Sequence, residues 1–470
     1  QTDRSFAEWK EQTDFTSRLR FSTSGVNLSD NAWFEDFGAA TYQSLTALSR
    51  SGRLDYRGDE WSLSALARNY QIIDPQVLRA DRPYTVLPEI ALQGLFPDRV
   101  LGLTFAIDGE LAAFERSPDL PNTNVQRFVL TPQVRLPLRA SGIYIEPAAG
   151  VRYIAFHGDT GTTGTPSVNA PIFSIDSGMV FERTTEPTGQ RIQTLEPRVL
   201  YAYVPYRNQD GLPSGLIDTT VPDFNLIQLF EVDRYTGGDR IGDVNHVALG
   251  LTSRLIDTHD GRQFLSATIG ELYRFAPQRV ALTSLQEVPE DRGSSDMIGE
   301  LDLTAYKNWS AHVALQWDPS SQSNQRTEVG FQFRPDNGKV INFSYRYRRN
   351  SALATSTSSI ANSQQGLEQI DTSIAWPIGS AWSVYGRMIY SLKDAAAIER
   401  FAGFEYRSCC WGVRVLVRRY VSTLTGEFNW NNQLQLELNG LSKVGHPVDT
   451  FLAESIRGYS AARNDYRSTP

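Results

Sequence analysis

The 470-residue sequence has no long apolar run, only two cysteines and no excess of positive charge. No stretch approaches the roughly 18 consecutive apolar residues of a membrane-spanning helix, which excludes that kind of anchor. The formal net charge of -8 excludes a typical nucleic-acid-binding protein, which needs a concentrated excess of Lys and Arg. No signal peptide is visible after Gln1, so we expect a mature protein or a fragment of one.

The two cysteines, Cys409 and Cys410, are adjacent within RSCCWGVRVLVRRY. A bridge between neighbours is disfavoured, because the Cα atoms of a disulfide are about 5.5 Å apart and a trans peptide holds them at about 3.8 Å. We therefore expect that these two cysteines do not bridge to each other. The composition alone leaves their partners open.

Alternation of apolar and polar residues, the period of a β-strand, recurs along most of the sequence. In VINFSYRYRR one face carries Ile341, Phe343, Tyr345 and Tyr347. In NNQLQLELNG one face carries Leu434, Leu436 and Leu438, and the other carries Gln433, Gln435 and Glu437. About 21 such segments of roughly 10 to 14 residues fit between Phe6 and Leu441, and that length suits a tilted strand that crosses a bilayer.

The connections between these segments alternate in length. Short turns such as RGDE, FPDR and YKNW are separated by longer polar segments such as 70–83, 206–243, DPSSQSNQ and 350–365. Up-and-down membrane barrels have tight periplasmic turns and extended outer loops. The sequence therefore predicts an all-β fold, a large antiparallel transmembrane β-barrel. A large soluble β-sandwich or propeller is the alternative, although its strands are usually shorter, about five or six residues.

Tryptophans and prolines occupy positions that fit a barrel. Five tryptophans lie beside the short turns and predict an aromatic girdle at the periplasmic interface: Trp61, Trp309, Trp376, Trp382 and Trp411. Four prolines interrupt strand patterns: Pro88, Pro132, Pro147 and Pro197. Since proline removes a donor from the ladder, we expect a bulge or local opening at each. Bending of a large barrel explains these prolines better than a direct role in transport.

The direction of the first and last segments implies an incomplete barrel. The last segment, Asn429 to Leu441, and the first, near Phe6 to Thr13, both run towards the periplasm if the short turns lie there. Single-chain bacterial barrels normally have an even number of strands. We therefore expect an odd number of strands upstream of this sequence. In this interpretation residues 1–442 form a barrel that lacks its first strands, and residues 443–470 form a periplasmic tail.

Several stretches resemble the LptD family of lipopolysaccharide-assembly proteins of Gram-negative outer membranes. They run in family order and are WFEDFG (33–38), MVFER (179–183), TLEPRVLYAYVPYRNQ (194–209), PDFNLIQLF (222–230), YTGGDRIGDVNHVALGLTSRLID (235–257), IAWPIGSAWSV (374–384) and YRSCCWGVRV (406–415). The resemblance implies a barrel of about 26 strands, preceded by a periplasmic jellyroll domain that this sequence lacks. It also implies transport of lipopolysaccharide rather than a chemical reaction, with no cofactor and no metal.

The resemblance further implies partners. A barrel of about 26 strands has a lumen on the order of 50 Å across, which would leak unless it were filled. The family fills it with an LptE-like lipoprotein plug, and an LptA-like periplasmic bridge delivers lipopolysaccharide through the N-terminal domain. Acyl chains then leave through a lateral opening between the first and last strands. Residues Gln433, Leu434, Gln435, Leu436, Glu437 and Leu438 of this sequence would form one edge of that opening.

The resemblance also assigns partners to the cysteines. Cys409 and Cys410 occupy a short turn on the predicted periplasmic side, an oxidising compartment in which disulfides persist. In the family, each such cysteine bridges to a cysteine of the N-terminal domain.

The segment VDRYTGGDRIGDVNH (232–246) admits two interpretations. It could be a glycine-rich phosphate cradle, but no βαβ pattern accompanies it. We favour an outer loop folded into the barrel, hydrogen-bonded through Arg234, Asp239, Arg240 and Asp243, with a short amphipathic helix in FNLIQLFEV before it. A lipid-modifying enzyme is a further alternative, but the five histidines are scattered and no nucleophile motif occurs. A passive porin or a plugged nutrient transporter is the remaining alternative function.

Overall fold

The structure is a computed structural model that describes residues 4–459 with internal gaps. The gaps are residues 32, 35–44, 76, 119, 121, 160–163, 186–189, 214–215, 283–289, 305–307, 336–337, 350–365, 422–426 and 439–440. The predicted outer loop 350–365 and the end of the predicted tail, 460–470, therefore lie outside the described residues.

The described chain consists almost entirely of β-strands. In chain order they are β1 (Phe6–Asp14), β2 (Leu19–Leu28), β3 (Ala47–Arg57), β4 (Trp61–Ile72), β5 (Thr85–Phe96), β6 (Thr104–Glu115), β7 (Asn124–Arg135), β8 (Leu138–Ala140), β9 (Ile143–Gly158), β10 (Ser167–Met179), β11 (Phe181–Thr184), β12 (Arg191–Val204), β13 (Val244–Asp257), β14 (Gln263–Arg274), β15 (Gly293–Ser294), β16 (Met297–Leu303), β17 (Trp309–Asp318), β18 (Ser323–Phe333), β19 (Val340–Arg348), β20 (Leu367–Ile378), β21 (Trp382–Ser391), β22 (Ala396–Arg407), β23 (Trp411–Val421), β24 (Phe428–Leu438) and β25 (Ser442–Gly445). The helices are a 3₁₀ turn (Arg79–Asp81), α1 (Leu226–Leu229) and α2 (Val448–Ser455).

All 25 strands belong to one antiparallel sheet in which successive long strands are neighbours. Four strands, β8, β11, β15 and β25, are two to four residues long, and the other 21 are seven to sixteen residues long. The prediction of a large antiparallel barrel with about 21 long strands is confirmed. Within the described residues no pairing joins β1 to β24 or β25, so the sheet is open between its two ends.

The two faces of the sheet differ in the way that the alternation predicts. In β23, Trp411 and Val417 are each 41% exposed on the outer face, whereas Arg414 and Leu416 are 2% and 0% exposed on the inner face. The inner face is covered mainly by the long loop 205–243 and the chain after β24, and smaller clusters form at Phe34 and at Val280. The buried core therefore lies between the inner wall of the sheet and the segments that fold over it.

Short and long connections alternate along most of the chain, with two exceptions on the long-loop side, the four-residue turns 319–322 and 392–395. The segment DPSSQSNQ (318–325) was expected to form a longer loop, but the turn covers only residues 319–322, since Asp318 ends β17 and Ser323 begins β18. The carboxylate of Asp318 accepts the backbone N–H of Ser320 at 2.8 Å, which closes a tight turn. Among the described helices, none is both long and apolar enough to cross a membrane.

Each of the four prolines lies at an irregularity of the ladder, which confirms that prediction. Pro88 lies in a register shift between β5 and β6. The pairing of β7 with β9 is interrupted at Pro132, since it stops at Leu130 and resumes at Gln133. Pro147 lies in β9 where its partner changes from β8 to β7, and Pro197 lies in β12 where its partner changes from β11 to β10.

Tryptophans at the short-turn end of the strands contact other aromatic rings. Trp309 packs on Phe333 at 4.1 Å between ring centroids, and Phe333 stacks on Trp376 at 6.4 Å. Tyr406 lies between Trp382 and Trp411, with centroids 4.8 Å and 5.3 Å apart. These rows have the arrangement that an aromatic girdle requires.

Candidate functional site: the folded-in loop and the last strand

The loop between β12 and β13, residues 205–243, lies against the inner face of the sheet. Its Leu212 and Ile241 share a buried cluster with Val125, Ile154 and other inward residues of β7 to β13. The short helix predicted in FNLIQLFEV is confirmed as α1, which begins after Asn225. The Asn225 side chain accepts the backbone N–H of Ile227 at 2.8 Å, so it caps the helix.

Arg127 of β7 is the centre of an ion network that fastens this loop. The side chain is 0% exposed and contacts three carboxylates. Its guanidinium donates to Asp218 at 2.6 Å and to Asp239 at 2.6 Å, both in the loop, and to Glu110 of β6 at 2.7 Å. A buried cation needs such partners, because an unpaired charge inside a protein is strongly unfavourable. The network therefore joins two parts of the loop, at Asp218 and Asp239, to strands β6 and β7 of the sheet.

Asp239 links the network to the loop backbone. It is 1% exposed, and its second carboxylate oxygen accepts the backbone N–H groups of Ile217, Asp218 and Thr219 at 2.8, 3.1 and 3.1 Å. Burial raises the pKa of the Asp218 carboxyl, but the hydrogen bond and charge of Arg127 outweigh it and hold that pKa below its ordinary value. Asp218 is therefore held in the ionised form that pairs with Arg127.

The glycines of the loop make room for this network. A Cβ on Gly238 would lie 2.8 Å from Cζ of Arg127, and Gly237 has a positive φ of 83° close to Asp218. Only glycine adopts this backbone without strain and allows so close an approach. The guanidinium of Arg127 occupies the space above the glycines, which favours the folded-in loop over a phosphate cradle.

The other predicted loop residues are brought together with their neighbours. Asp243 accepts the backbone N–H groups of Arg279 and Val280 at 2.8 and 2.9 Å, so it ties the loop to the connection after β14. Arg234 lies 3.8 Å from Asp243 and donates to Gln278 at 2.9 Å. The fourth residue, Arg240, donates to two backbone carbonyls, those of Pro213 at 2.6 Å and Asp239 at 2.8 Å. All four predicted residues are therefore hydrogen-bonded within the folded loop and its neighbour.

Sequence reasoning missed Arg127. The available signal was an arginine within the alternating segment NVQRFVLTP, at a position on the same face as Val125 and Val129. An arginine between apolar inward residues indicates a buried ion pair rather than a solvated lumen. The local pattern does not show that a loop about 90 residues later in the sequence supplies carboxylates for Arg127. Asp218, for example, is 91 positions away.

The predicted last strand is present as β24. Leu434, Leu436 and Leu438 are 56%, 36% and 38% exposed on the outer face. On the inner face Gln433 and Gln435 are 3% and 2% exposed. Glu437 accepts a hydrogen bond from Arg414 of β23 at 2.8 Å. The strand ends at Leu438, three residues earlier than expected.

The chain after β24 turns back and covers part of its edge. Strand β25 pairs with the last four residues of β24, from Gln435 to Leu438. Helix α2 then lies on the inner wall, where Phe451 and Leu452 are buried against inward residues of β19 to β23. The side chain of Gln435 donates to Asp449 at the start of α2 at 3.0 Å. Within the described residues, β23 is the only neighbouring strand of Phe428 to Leu434.

Cys409 and Cys410 lie in the short turn between β22 and β23, and both are exposed. Their Sγ atoms are 2.7 Å apart, in a sulfur–sulfur hydrogen bond and not a covalent bridge. This contact lowers the pKa of the Cys409 thiol and raises the pKa of the Cys410 thiol. Cys409 is therefore the readier thiolate of the two.

The predicted residues form two separate groups. The folded-in loop lies over β7 to β14, whereas the last strand and the cysteine turn belong to β22 to β25. Among the described residues, no cluster of three His, Cys, Asp or Glu side chains has the arrangement of a metal site. The predicted loop and strand residues therefore lie on the inner face of the sheet and at its last strand.

A sequence profile described as LPS transport system D matches residues 2–382, which is most of the chain. The chain belongs to the LptD family. Among the LptD relatives, LPS-assembly protein LptD of Nitrosococcus oceani is 35% identical over 445 residues, which are 93% of this chain and 58% of that protein. LPS-assembly protein LptD of Aromatoleum aromaticum is 36% identical over 463 residues, which are 97% of this chain and 56% of that protein.

The chain spans about half the length of the curated LptD relatives it matches. Among solved structures, the siderophore receptor PirA from Acinetobacter baumannii matches 93% of this chain and 77% of its own, with 9% identity and a TM-score of 0.39. At that score the likeness supports no argument about fold or function. The LptD assignment rests on sequence.

Proposed function

We propose that this chain is the outer-membrane barrel of a translocon that assembles lipopolysaccharide into the outer leaflet. The observation that carries the proposal is membership of the LptD family together with a large barrel sheet. In this proposal the short turns face the periplasm and the long loops face the outside of a Gram-negative cell. Transport involves no covalent chemistry, and the protein acts as a passage and not as an enzyme.

The route in this proposal is through the lumen and then sideways between the first and last strands. Support comes from the open edge of β24, whose residues Phe428 to Gln433 have β23 as their described neighbour. Acyl chains would leave along this edge into the bilayer, while sugars pass through the lumen. The outer face of β24 carries exposed leucines that match hydrocarbon, and its inner face carries glutamines and Glu437 that match sugars and water.

The proposed partners follow from the same assignment. An LptE-like lipoprotein would occupy the part of the lumen that the loop 205–243 and α2 leave open. An LptA-like bridge would deliver lipopolysaccharide through an N-terminal domain outside this chain. Cys409 and Cys410 would each bridge to that domain, and their exposure in a short turn supports such a tether. In the same proposal residues 1–442 are the barrel and 443–470 are a periplasmic tail, which returns to pair with β24 and to place α2 on the inner wall.

The function is tested by depletion of the protein in its own bacterium. Surface lipopolysaccharide is labelled with an impermeant reagent while the protein level falls. The proposal expects newly made lipopolysaccharide to accumulate inside the envelope while outer-membrane porins are still assembled. Normal surface labelling after full depletion would overturn it. Loss of nutrient uptake with normal lipopolysaccharide would favour a transporter instead.

A further inference from the structure

A pocket at the long-loop end of β12, β13 and β14 contains basic groups that the proposed transport route does not use. Its volume is about 240 Å³. The side chains that matter are Tyr206, Asp243, His246, Arg274 and Arg279. They come from the ends of two strands and from the connections that follow β12 and β14.

Two side chains in the pocket are buried and have polar atoms without a hydrogen-bond partner. His246 of β13 and Arg274 of β14 are direct cross-strand partners, 7% and 8% exposed. Nε2 of His246 and Nε of Arg274 have no partner among the described residues. The other end of the Arg274 guanidinium pairs with Glu290. Buried polar atoms are nearly always hydrogen-bonded, so these two atoms are available to a ligand in the pocket.

Arg279 supplies an additional positive charge at the mouth of the pocket. Its guanidinium lies 3.8 Å from the centroid of the Tyr206 ring, and its side chain is exposed. Within the described residues Arg279 has no carboxylate partner. The nearby carboxylate of Asp243 is already engaged by the backbone N–H groups of Arg279 and Val280. The pocket therefore presents donors that lack an acceptor, a requirement that a phosphate group meets.

An aromatic cluster on the outer face places the pocket at the level of lipid headgroups. Tyr201, Tyr273 and Phe275 are 38%, 42% and 46% exposed, and Phe275 lies 6.3 Å and 5.4 Å from the other two rings. Asn245, which lines the pocket, accepts a hydrogen bond from the Tyr201 hydroxyl at 3.2 Å. Exposed aromatic rings at strand ends mark the boundary between hydrocarbon and headgroups.

We propose that this pocket binds the phosphate monoester of a lipid headgroup in the outer leaflet. Arg279 and Arg274 donate to the phosphate oxygens, and His246 donates through Nε2 in the tautomer that carries its proton there. The inference rests on the proposed function in one respect, that the long-loop end of the strands faces the outer leaflet. Because His246 and Arg274 lie on the inner face, a bound headgroup would hold a phosphorylated lipid at the long-loop rim of the barrel.

The test uses the purified protein in detergent and native mass spectrometry. The probes are dioctanoyl phosphatidic acid and dioctanoyl glycerol, which differ only in the phosphate. The proposal expects selective binding of the phosphatidic acid, and at least tenfold weaker binding by Arg279→Gln. Arg292→Gln is the matched control, because Arg292 is exposed on the same connection but does not line the pocket.

Three results would overturn the site: equal binding of the two lipids, unchanged binding by Arg279→Gln, or displacement by inorganic phosphate at the concentration of the lipid. The last result would assign the pocket to free phosphate instead of a headgroup. Because no transport occurs in this assay, its failure leaves the proposed function standing. Conversely, normal surface lipopolysaccharide after depletion would overturn the function and leave the measured binding intact.

Discussion

At the level of single residues, Arg127 fastens the loop 205–243 to the sheet, because one buried guanidinium pairs with three carboxylates from two elements. Aspartates and arginines between glycines predict a hydrogen-bonded loop, and the four loop residues expected from sequence make hydrogen bonds in the structure. Their main partner was missed, because alternation places Arg127 on the inner face but does not reveal what covers that face. Pairing across 91 positions is a property of the folded sheet, and the local pattern does not contain it.

We expect Arg127→Met to detach the loop 205–243 while the barrel stays folded. Removing one partner of a buried ion pair costs about 3 to 5 kcal/mol, since the carboxylates of Asp218 and Asp239 lose their counter-charge. Limited proteolysis should then cleave within the loop at least tenfold faster than in the unaltered protein. Arg183→Met is the control, because Arg183 is exposed and hydrogen-bonded to Gln193 of the wall. Equal cleavage in both variants would show that the network does not hold the loop.

At the cysteine turn, we expect Cys409 to react before Cys410. The hydrogen bond between them lowers the pKa of the Cys409 thiol, so the thiolate fraction of Cys409 is greater over the pH range in which thiols titrate. Limiting maleimide near pH 7, followed by peptide mass spectrometry, measures which cysteine carries the label. The preference should fade as the pH rises above both pKa values. A label on Cys410 alone at pH 7 would contradict this assignment.

Among elements, β25 and α2 limit the part of the last strand, β24, that is available for a lateral opening. The sequence predicts β24 and its two faces well, because Leu, Gln and Glu alternate without interruption. It does not predict that the tail returns to the edge of β24, since SKVG has no strong strand pattern. The folded tail covers Gln435 to Leu438, so any lateral opening at β24 is confined to residues nearer its start.

We expect Leu452→Ala to loosen this tail. Leu452 is 0% exposed, and truncation of such a side chain costs about 2 to 5 kcal/mol. Hydrogen exchange should then accelerate at the amides of β25 and α2, while exchange in β19 to β23 changes little. Thr450→Ala serves as the comparison, because Thr450 is exposed on the same helix. Protection of β25 that is equal in both variants would show that α2 does not anchor the strand.

For the whole molecule, period-two alternation and the rhythm of turns were sufficient to predict a barrel of about 21 long strands. Alternation over so many segments of roughly 10 to 14 residues favours a membrane barrel over a soluble sandwich or propeller, whose strands are usually shorter. The same pattern does not predict which segments fill the interior of the barrel. The loop 205–243 and α2 fill part of the lumen through contacts between residues far apart in sequence, and these depend on the curvature of the assembled sheet.

The most direct measurement uses a reducible disulfide between β24 and the first strand of the full-length protein. One cysteine is Asn432→Cys in β24, and the second is placed on the first strand. The account predicts that this tie blocks the appearance of new lipopolysaccharide on the cell surface and that a reductant restores it. A control tie joins Asn432→Cys to Val417→Cys, its partner on β23, where the strands are already paired. That control should leave surface lipopolysaccharide unchanged. Normal export with the first strand fully tied to β24 would contradict the lateral route.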